Sequence, residues 1–302
     1  MKELVIRLKG GLGNQLFCYA AGKRLALANG AEVLLDTTTG FKRDKIYRRT
    51  FAIDRFSICA RHYRMMGGLY VIERLARHIQ REIEQKLPVS ERRLIEQNGV
   101  QFDPDLLRLR LKEGENYFDG FGQSEDYFAD IKDIIKSDLA IPAPTVPLVL
   151  EFKDEIVRTR SIGIHVRWFD DGIGPRTLNM QLDYYWQAIQ NINTSAGGTK
   201  IFVFSDKPER AQFLLKPILD DYNWALINLG EEDDNSINEF WLMSHCKQII
   251  ISNSTFAWWA AWLGEANGNT SKIVAPGRKI EPIGNVTAWG FPRLLPARWT
   301  II

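Results

Sequence analysis

Four groups of residues carry chemistry that their neighbours do not explain. At 10–15 the run GGLGNQ joins an apolar stretch, Leu4 to Leu8, to a helical pattern from Gln15 to Asn29. Glycines at such a turn let backbone amides approach an anion, and the helix N-terminus behind them adds a favourable dipole for phosphate. At 162–171 the run IGIHVRWFDD sets His165 and Arg167 two positions apart at the carboxyl end of a strand. Residues so spaced project to one side of an extended chain, here a neutral ring beside a permanent cation suited to phosphate oxygens. At 202–209, FVFSDKPE ends an apolar strand in Ser205 and Asp206 before a proline-started helix. Asp206 reads either as the cap of that helix or as a carboxylate accepting paired donors from a guanine edge. At 251–263, ISNSTFAWWAAWL opens a helix with Asn253, Ser254 and Thr255. Their amides and hydroxyls suit a diphosphate, while Phe256, Trp258, Trp259 and Trp262 read as packing scaffold.

The elements that must position these groups alternate strand and helix. Leu4–Leu8, the glycine turn, the helix 15–29 and a strand at Val33–Asp36 open the chain as β-loop-α-β, the beginning of a parallel sheet covered by helices. The pattern restarts with strands at 161–166, 200–204, 248–252 and 273–275 and helices at 183–192, 208–219, 238–246 and 255–263. Between the two halves, AIPAPTVP at 140–147 holds three of the 12 prolines, which stiffen the backbone and remove donors. The 302 residues therefore read as two α/β domains, 1–145 and 146–302.

Composition excludes several classes. With 39 basic and 37 acidic residues the net charge is +2, too little for general nucleic-acid binding. Cys18, Cys59 and Cys246 are an odd set without metal-ligand spacing, which argues against disulfide frameworks and zinc and for a reducing compartment. MKELVIRLKGG has no signal-peptide core, and the most apolar window, 251–264, is short of a membrane span, so the expected location is cytoplasmic. GGLGNQ lacks both the Walker lysine and the GxGxxG spacing, against an ATPase and a nicotinamide dehydrogenase. Residues 61–93 carry eight Lys/Arg against four Asp/Glu on a mainly helical pattern. They read as a solvated helical face, and as the segment suited to peripheral contact with an anionic membrane leaflet.

GGLGNQLF, IHVR followed by Asp170, FSD and LMSHCKQIIISNSTFAWWAAWL occur together and in this order. As a set they resemble the bacterial α-1,2-fucosyltransferases. FDGFGQSEDYF at 118–128, similar to that family's GYWQSEKYF, and KIVAPGRK through LLPARWTII extend the resemblance over nearly the whole chain. It implies a GT-B architecture: two Rossmann-like domains facing across a cleft, acceptor on the N-terminal side and GDP-fucose held mainly by the C-terminal domain, with no metal and no cofactor. By the same resemblance His165 and Asp206 lie near the guanine, Arg167 against the diphosphate, and Asn253, Ser254 and Thr255 at the phosphates. Gly11 and Asn14 of the facing domain close over pyrophosphate and sugar.

The implied reaction is an inverting displacement by the 2-hydroxyl of a galactose-containing glycan, with Arg167 meeting the charge of departing GDP. Asp170, Asp171 and Glu125 are the candidate bases. The family's HVRRGDY is replaced here by His165-Val166-Arg167-Trp168-Phe169-Asp170-Asp171, so an aromatic stands where a second arginine is usual. Arg176 is a possible substitute. A different nucleotide sugar, or a silent GDP-sugar binder, are the competing readings.

Overall fold

The computed structural model describes residues 1–42, 44, 48–63, 70–88, 91–97, 99–169, 178–192, 197–230, 233–281 and 288–302. The chain divides into two units, Met1–Leu139 with Pro292–Leu294, and Ala140–Phe291 with Leu295–Ile302. The division thus precedes the proline-rich run, against the expected 145. Leu139 is buried and its amide closes the preceding helical turn on Ile135. Pro147 instead opens the first helix of the second unit.

The first unit runs β1 (Lys2–Lys9), α1 (Leu12–Ala28), β2 (Glu32–Gly40), β3 (Arg61–His62), α2 (Tyr70–Glu84), β4 (Leu94–Glu96), β5 (Gly114–Asp119) and α3 (Lys132–Asp138). Its five strands form a parallel sheet ordered β3-β2-β1-β5-β4. α1 begins three residues before its expected start and is buried almost all round. Gly22 explains how closely it lies on the sheet: a Cβ there would sit 2.5 Å from Ile6 Cδ1.

The second unit runs α4 (Pro147–Arg158), β6 (Arg160–Val166), α5 (Leu182–Gln190), β7 (Thr199–Ser205), α6 (Pro208–Leu219), β8 (Trp224–Leu226), α7 (Asp233–Met243), β9 (Gln248–Ile250), α8 (Thr255–Ala266), β10 (Lys272–Ala275) and β11 (Thr300–Ile301). All six strands are parallel, in the order β11-β10-β9-β6-β7-β8. From β6 the chain moves outward through β7 and β8, then returns to place β9 on the other side. The reversal makes the carboxyl edge of β6 the point at which an open α/β sheet leaves a crevice for ligand. Ile162, Ile164, Ile201 and Val203 fill the core beneath it, fully buried. Trp258, Trp259 and Trp262 are buried on α8 as scaffold, Trp258 also packing 5.4 Å from the Trp299 ring.

Among the described residues no helix is long and apolar enough to cross a membrane. The three cysteines are free, Cys18 and Cys246 buried and Cys59 exposed.

Candidate active site

The carboxyl ends of β9, β6 and β7, adjacent in the sheet, bring three of the four sequence motifs together. β6 delivers His165 at its last turn. The side chain is 4 % exposed, with Nδ1 2.8 Å from Ser252 Oγ and its ring 5.6 Å from that of Phe256. Burial, and secondarily the charge of Arg167, lower the imidazole to about 3, so the ring is neutral and serves as a hydrogen-bonding group rather than a cation. Phe256 therefore faces the site, unlike the tryptophans that follow it.

Arg167, just past the strand, donates from Nη1 to Asp206 Oδ2, and the Trp168 amide donates to Asp206 Oδ1 at 3.1 Å. Both carboxylate oxygens are engaged, which corrects the capping reading. The cap position of α6 is Lys207, whose amide donates to Ser205 Oγ at 3.1 Å. Arg167 and Asp206 side chains stay 24 % and 26 % exposed. The pair uses one of three guanidinium nitrogens, leaving donors for a ligand. Burial raises Asp206 above the ordinary carboxylate range, an effect that Arg167 only partly offsets.

On the β9 side the chain turns directly into α8. Ser254 occupies the cap position but makes no side-chain capping bond, and Thr255 begins the helix. The first amides of α8 keep their donor capacity and their positive dipole end. Asn253 is 7 % exposed, donates to Leu178 O at 2.9 Å, and has a buried Oδ1 with no partner among the described residues. The ends of these neighbouring strands carry a neutral ring, a guanidinium and a helix N-terminus, groups whose chemistry suits a diphosphate.

Next to it lies a cavity of about 640 Å³ lined by Ser205, Asp206, Asn228, Gly230, Ser236 and Glu239. Glu239, on α7, is pushed up to about 7 by burial and by the nearby charge of Asp206, against a bond from the Leu229 amide. The sequence reading missed it, because a glutamate in a helical run carries no local mark of what its helix packs against.

In the first unit the glycine turn is built for close approach. Gly10 has φ +75°, and a Cβ there would lie 2.6 Å from Asn14 Nδ2. Gly11 precedes α1 at its cap position, and a Cβ on it would overlap Arg49 Nη1, a cation the sequence reading also missed. Buried Gln15 pins the turn, donating to Gly10 O at 3.0 Å and Thr50 O at 2.9 Å while accepting from the Ala52 amide. Asn14, 7 % exposed, accepts from Gln123 Nε2 at 2.8 Å, which orients its own amide donors away from that bond. Glu125 is half-buried on a short 3-10 turn capped by Ser124. Asp170, Asp171 and Arg176 lie outside the described residues.

Two α/β units, each built on a parallel sheet, make a GT-B architecture. The chain belongs to glycosyl transferase family 11, whose signature matches residues 106–279. It is 30 % identical over 296 residues to the O-antigen biosynthesis glycosyltransferase WbnK of Escherichia coli, covering 90 % of this chain and 93 % of that one. It is also 28 % identical over 279 residues to an Escherichia coli alpha-1,2-colitosyltransferase, covering 87 % and 88 %. A structure of a variant of Arabidopsis thaliana FUT1 in complex with GDP shares the fold, with TM-score 0.52, 13 % identity and coverage of 87 % of this chain and 69 % of that one.

Proposed function

We propose that this glycosyltransferase moves L-fucose from GDP-β-L-fucose to the 2-hydroxyl of a galactose-containing glycan, with inversion and without a metal ion. The observation that carries the reading is that Arg167, His165 and the N-terminus of α8, which has no side-chain cap, all follow the carboxyl ends of the neighbouring strands β9 and β6 at the crevice of the second sheet. The acceptor hydroxyl attacks the anomeric carbon as the bond to the β-phosphate oxygen breaks. Negative charge then grows on the departing GDP, where fixed donors lower the barrier most. Arg167, Asn253, Ser254 and Thr255 meet that charge, with His165 as a neutral partner beside them. Gly11 and Asn14 serve the pyrophosphate and sugar from the first unit. Asp170 or Glu125 takes the proton of the acceptor hydroxyl. Asp206 holds Arg167, and Glu239 takes the base, its carboxylate accepting the paired N1–H and N2–H donors that guanine has and adenine lacks.

The test is GDP release from GDP-fucose with galactose-terminated acceptors in EDTA, run in parallel with GDP-colitose because one relative is named a colitosyltransferase. Acceptor-dependent release from GDP-fucose supports the reading. Release only from another donor, or binding without release, overturns it.

Glu239 makes a separate prediction. Glu239→Gln should weaken GDP binding by about tenfold or more, the scale of a charge-assisted hydrogen bond, and weaken inosine diphosphate less because hypoxanthine lacks the 2-amino group. The ionised form accepts the base, and its value near 7 in the free protein means protonation competes with GDP below neutrality. GDP affinity should therefore rise from pH 6 to pH 8, and calorimetric titration at both values checks it. A flat wild-type profile would return the base to Asp206.

A further inference from the structure

α2 is mounted the wrong way round for a helix that covers a sheet. Its charged face turns inward. Arg77 Nη1 lies 3.3 Å from Asp36 Oδ2 with its guanidinium 4.3 Å from the Tyr117 ring centroid, and Arg81 Nη2 lies 2.5 Å from Glu96 Oε1. Glu84 is buried and accepts the amides of Arg93 and Leu94 at 2.7 and 2.6 Å. The opposite face is apolar and faces water: Leu75, Ile79 and Ile83, spaced by four, are 58 %, 50 % and 59 % exposed. This corrects the solvated charged face expected from composition. A stripe of three aliphatic side chains on consecutive turns is displayed, while the cations that would ordinarily keep such a helix soluble are spent on the domain beneath it.

We infer that this face of α2 docks on an anionic lipid bilayer. Charge is the first reason for choosing that occupant. Of the 39 basic and 37 acidic residues in the chain, eight and four lie in 61–93, so the remaining 31 and 33 are net negative. The segment that carries the stripe holds the protein's positive excess, and although its Arg61, Arg77 and Arg81 pair with carboxylates of the first unit, further cations remain at the end of the helix. Lys86 is exposed just after α2, and Arg92 donates to the carbonyls of Leu87 and Gln85 at its end, bringing a second cation there. Among the described side chains of the helix, Glu82 is an exposed opposing charge. Area is the second reason. A helix of 15 residues offers a face about 22 Å long and about 10 Å wide, roughly 220 Å², well below the roughly 800 Å² per partner of a stable protein interface. A bilayer needs no matching surface, since aliphatic side chains enter the acyl boundary while flanking cations stay among the headgroups.

The experiment is vesicle co-sedimentation of the full chain with phosphatidylglycerol/phosphatidylethanolamine vesicles and with phosphatidylcholine vesicles, alongside sedimentation velocity without lipid. The wild type should bind the anionic vesicles, and raised salt should weaken binding. Leu75→Gln, Ile79→Gln and Ile83→Gln combined should reduce binding at least about tenfold, since each removes apolar burial while keeping a good helix former. Far-ultraviolet circular dichroism and a cooperative thermal melt should be unchanged, which shows that the variant is folded. A wild type that stays in the supernatant overturns the inference. So does a triple variant that sediments equally well, or one whose only change is loss of a dimer. The inference is independent of the donor and acceptor proposed above, because the readout is lipid binding and not transfer.

Discussion

Replacing Arg167 by alanine should lower turnover at least about 10²-fold, the scale of losing one preorganised donor to a developing anion. The guanidinium sits just past β6, held by Asp206 at the end of β7, while His165 two residues earlier meets Ser252 and Phe256 on the side of α8. In the family pattern a second arginine follows; here Trp168 takes that place and gives its backbone amide to Asp206. Arg167 is therefore the one side-chain cation that the IHVRWF segment brings to the diphosphate set. Stability should change little, because the pair is partly exposed and such pairs contribute modestly. Arg167→Lys should fall between the two, keeping charge but losing the planar fork that spans two phosphate oxygens. Steady-state GDP release from GDP-fucose, read with thermal melts of all three proteins, separates rate from folding. Near-normal turnover in the alanine variant would remove Arg167 from the proposed mechanism.

Asp36→Ala should produce the largest loss of stability of any change considered, about 3–5 kcal/mol, because it leaves a half-buried cation and the Thr39 and Tyr117 hydroxyls without their partner. Asp36 is 1 % exposed in the middle of β2. It accepts from the amides of Thr38 and Thr39 at 3.0 and 2.9 Å, from Thr39 Oγ1 at 2.6 Å and from Tyr117 OH at 2.5 Å, and it pairs with Arg77 of α2. Burial alone would raise this carboxyl, but the bonds from Thr39, Tyr117 and Thr38 outweigh it and hold it below the ordinary range. A carboxyl depressed in the folded state contributes stability above its unfolded value and loses it as pH falls through the folded one. The wild type and the variant should thus differ most near neutrality and converge in acid. Urea unfolding at pH 7 and at pH 3 measures both. A difference under about 1 kcal/mol at pH 7 would mean that the Asp36 network is not what secures α2 to the sheet.

Much of the architecture is legible in local sequence. The apolar strand, glycine turn and helix at the start, and the repeated strand and helix of the second half, are short-range patterns whose period and turn chemistry need no distant partner. His165 and Arg167 share a face because extended chain alternates, and Ser254 and Thr255 head a helix because a polar triplet precedes an apolar run. The strands missed are the ones locality cannot specify. β3 and β11 have two residues each and β4 and β8 three, too few for a period, while the six residues of β5 open with Gly114, Glu115 and Asn116, poor strand formers, and each of these strands exists because a neighbouring strand offers an unpaired edge.

The sequence by itself determined two α/β units, the motifs at their strand ends and the chemical types those motifs hold. Only the tertiary structure decided how they are used. Asp206 could be a cap or a ligand until β6 and β7 aligned it with Arg167, 39 residues away. Asn14 acquired an orientation from Gln123, 109 residues on, and Glu239 acquired its raised pKa from burial beside a second carboxylate. The helical pattern of 61–93 was readable, yet which face met water depended on Asp36, Glu96 and Asp119 waiting on the sheet beneath it. Propensity and periodicity act over a few residues, whereas dielectric, ion pairing and exposure are set by what long-range packing brings within a few ångströms.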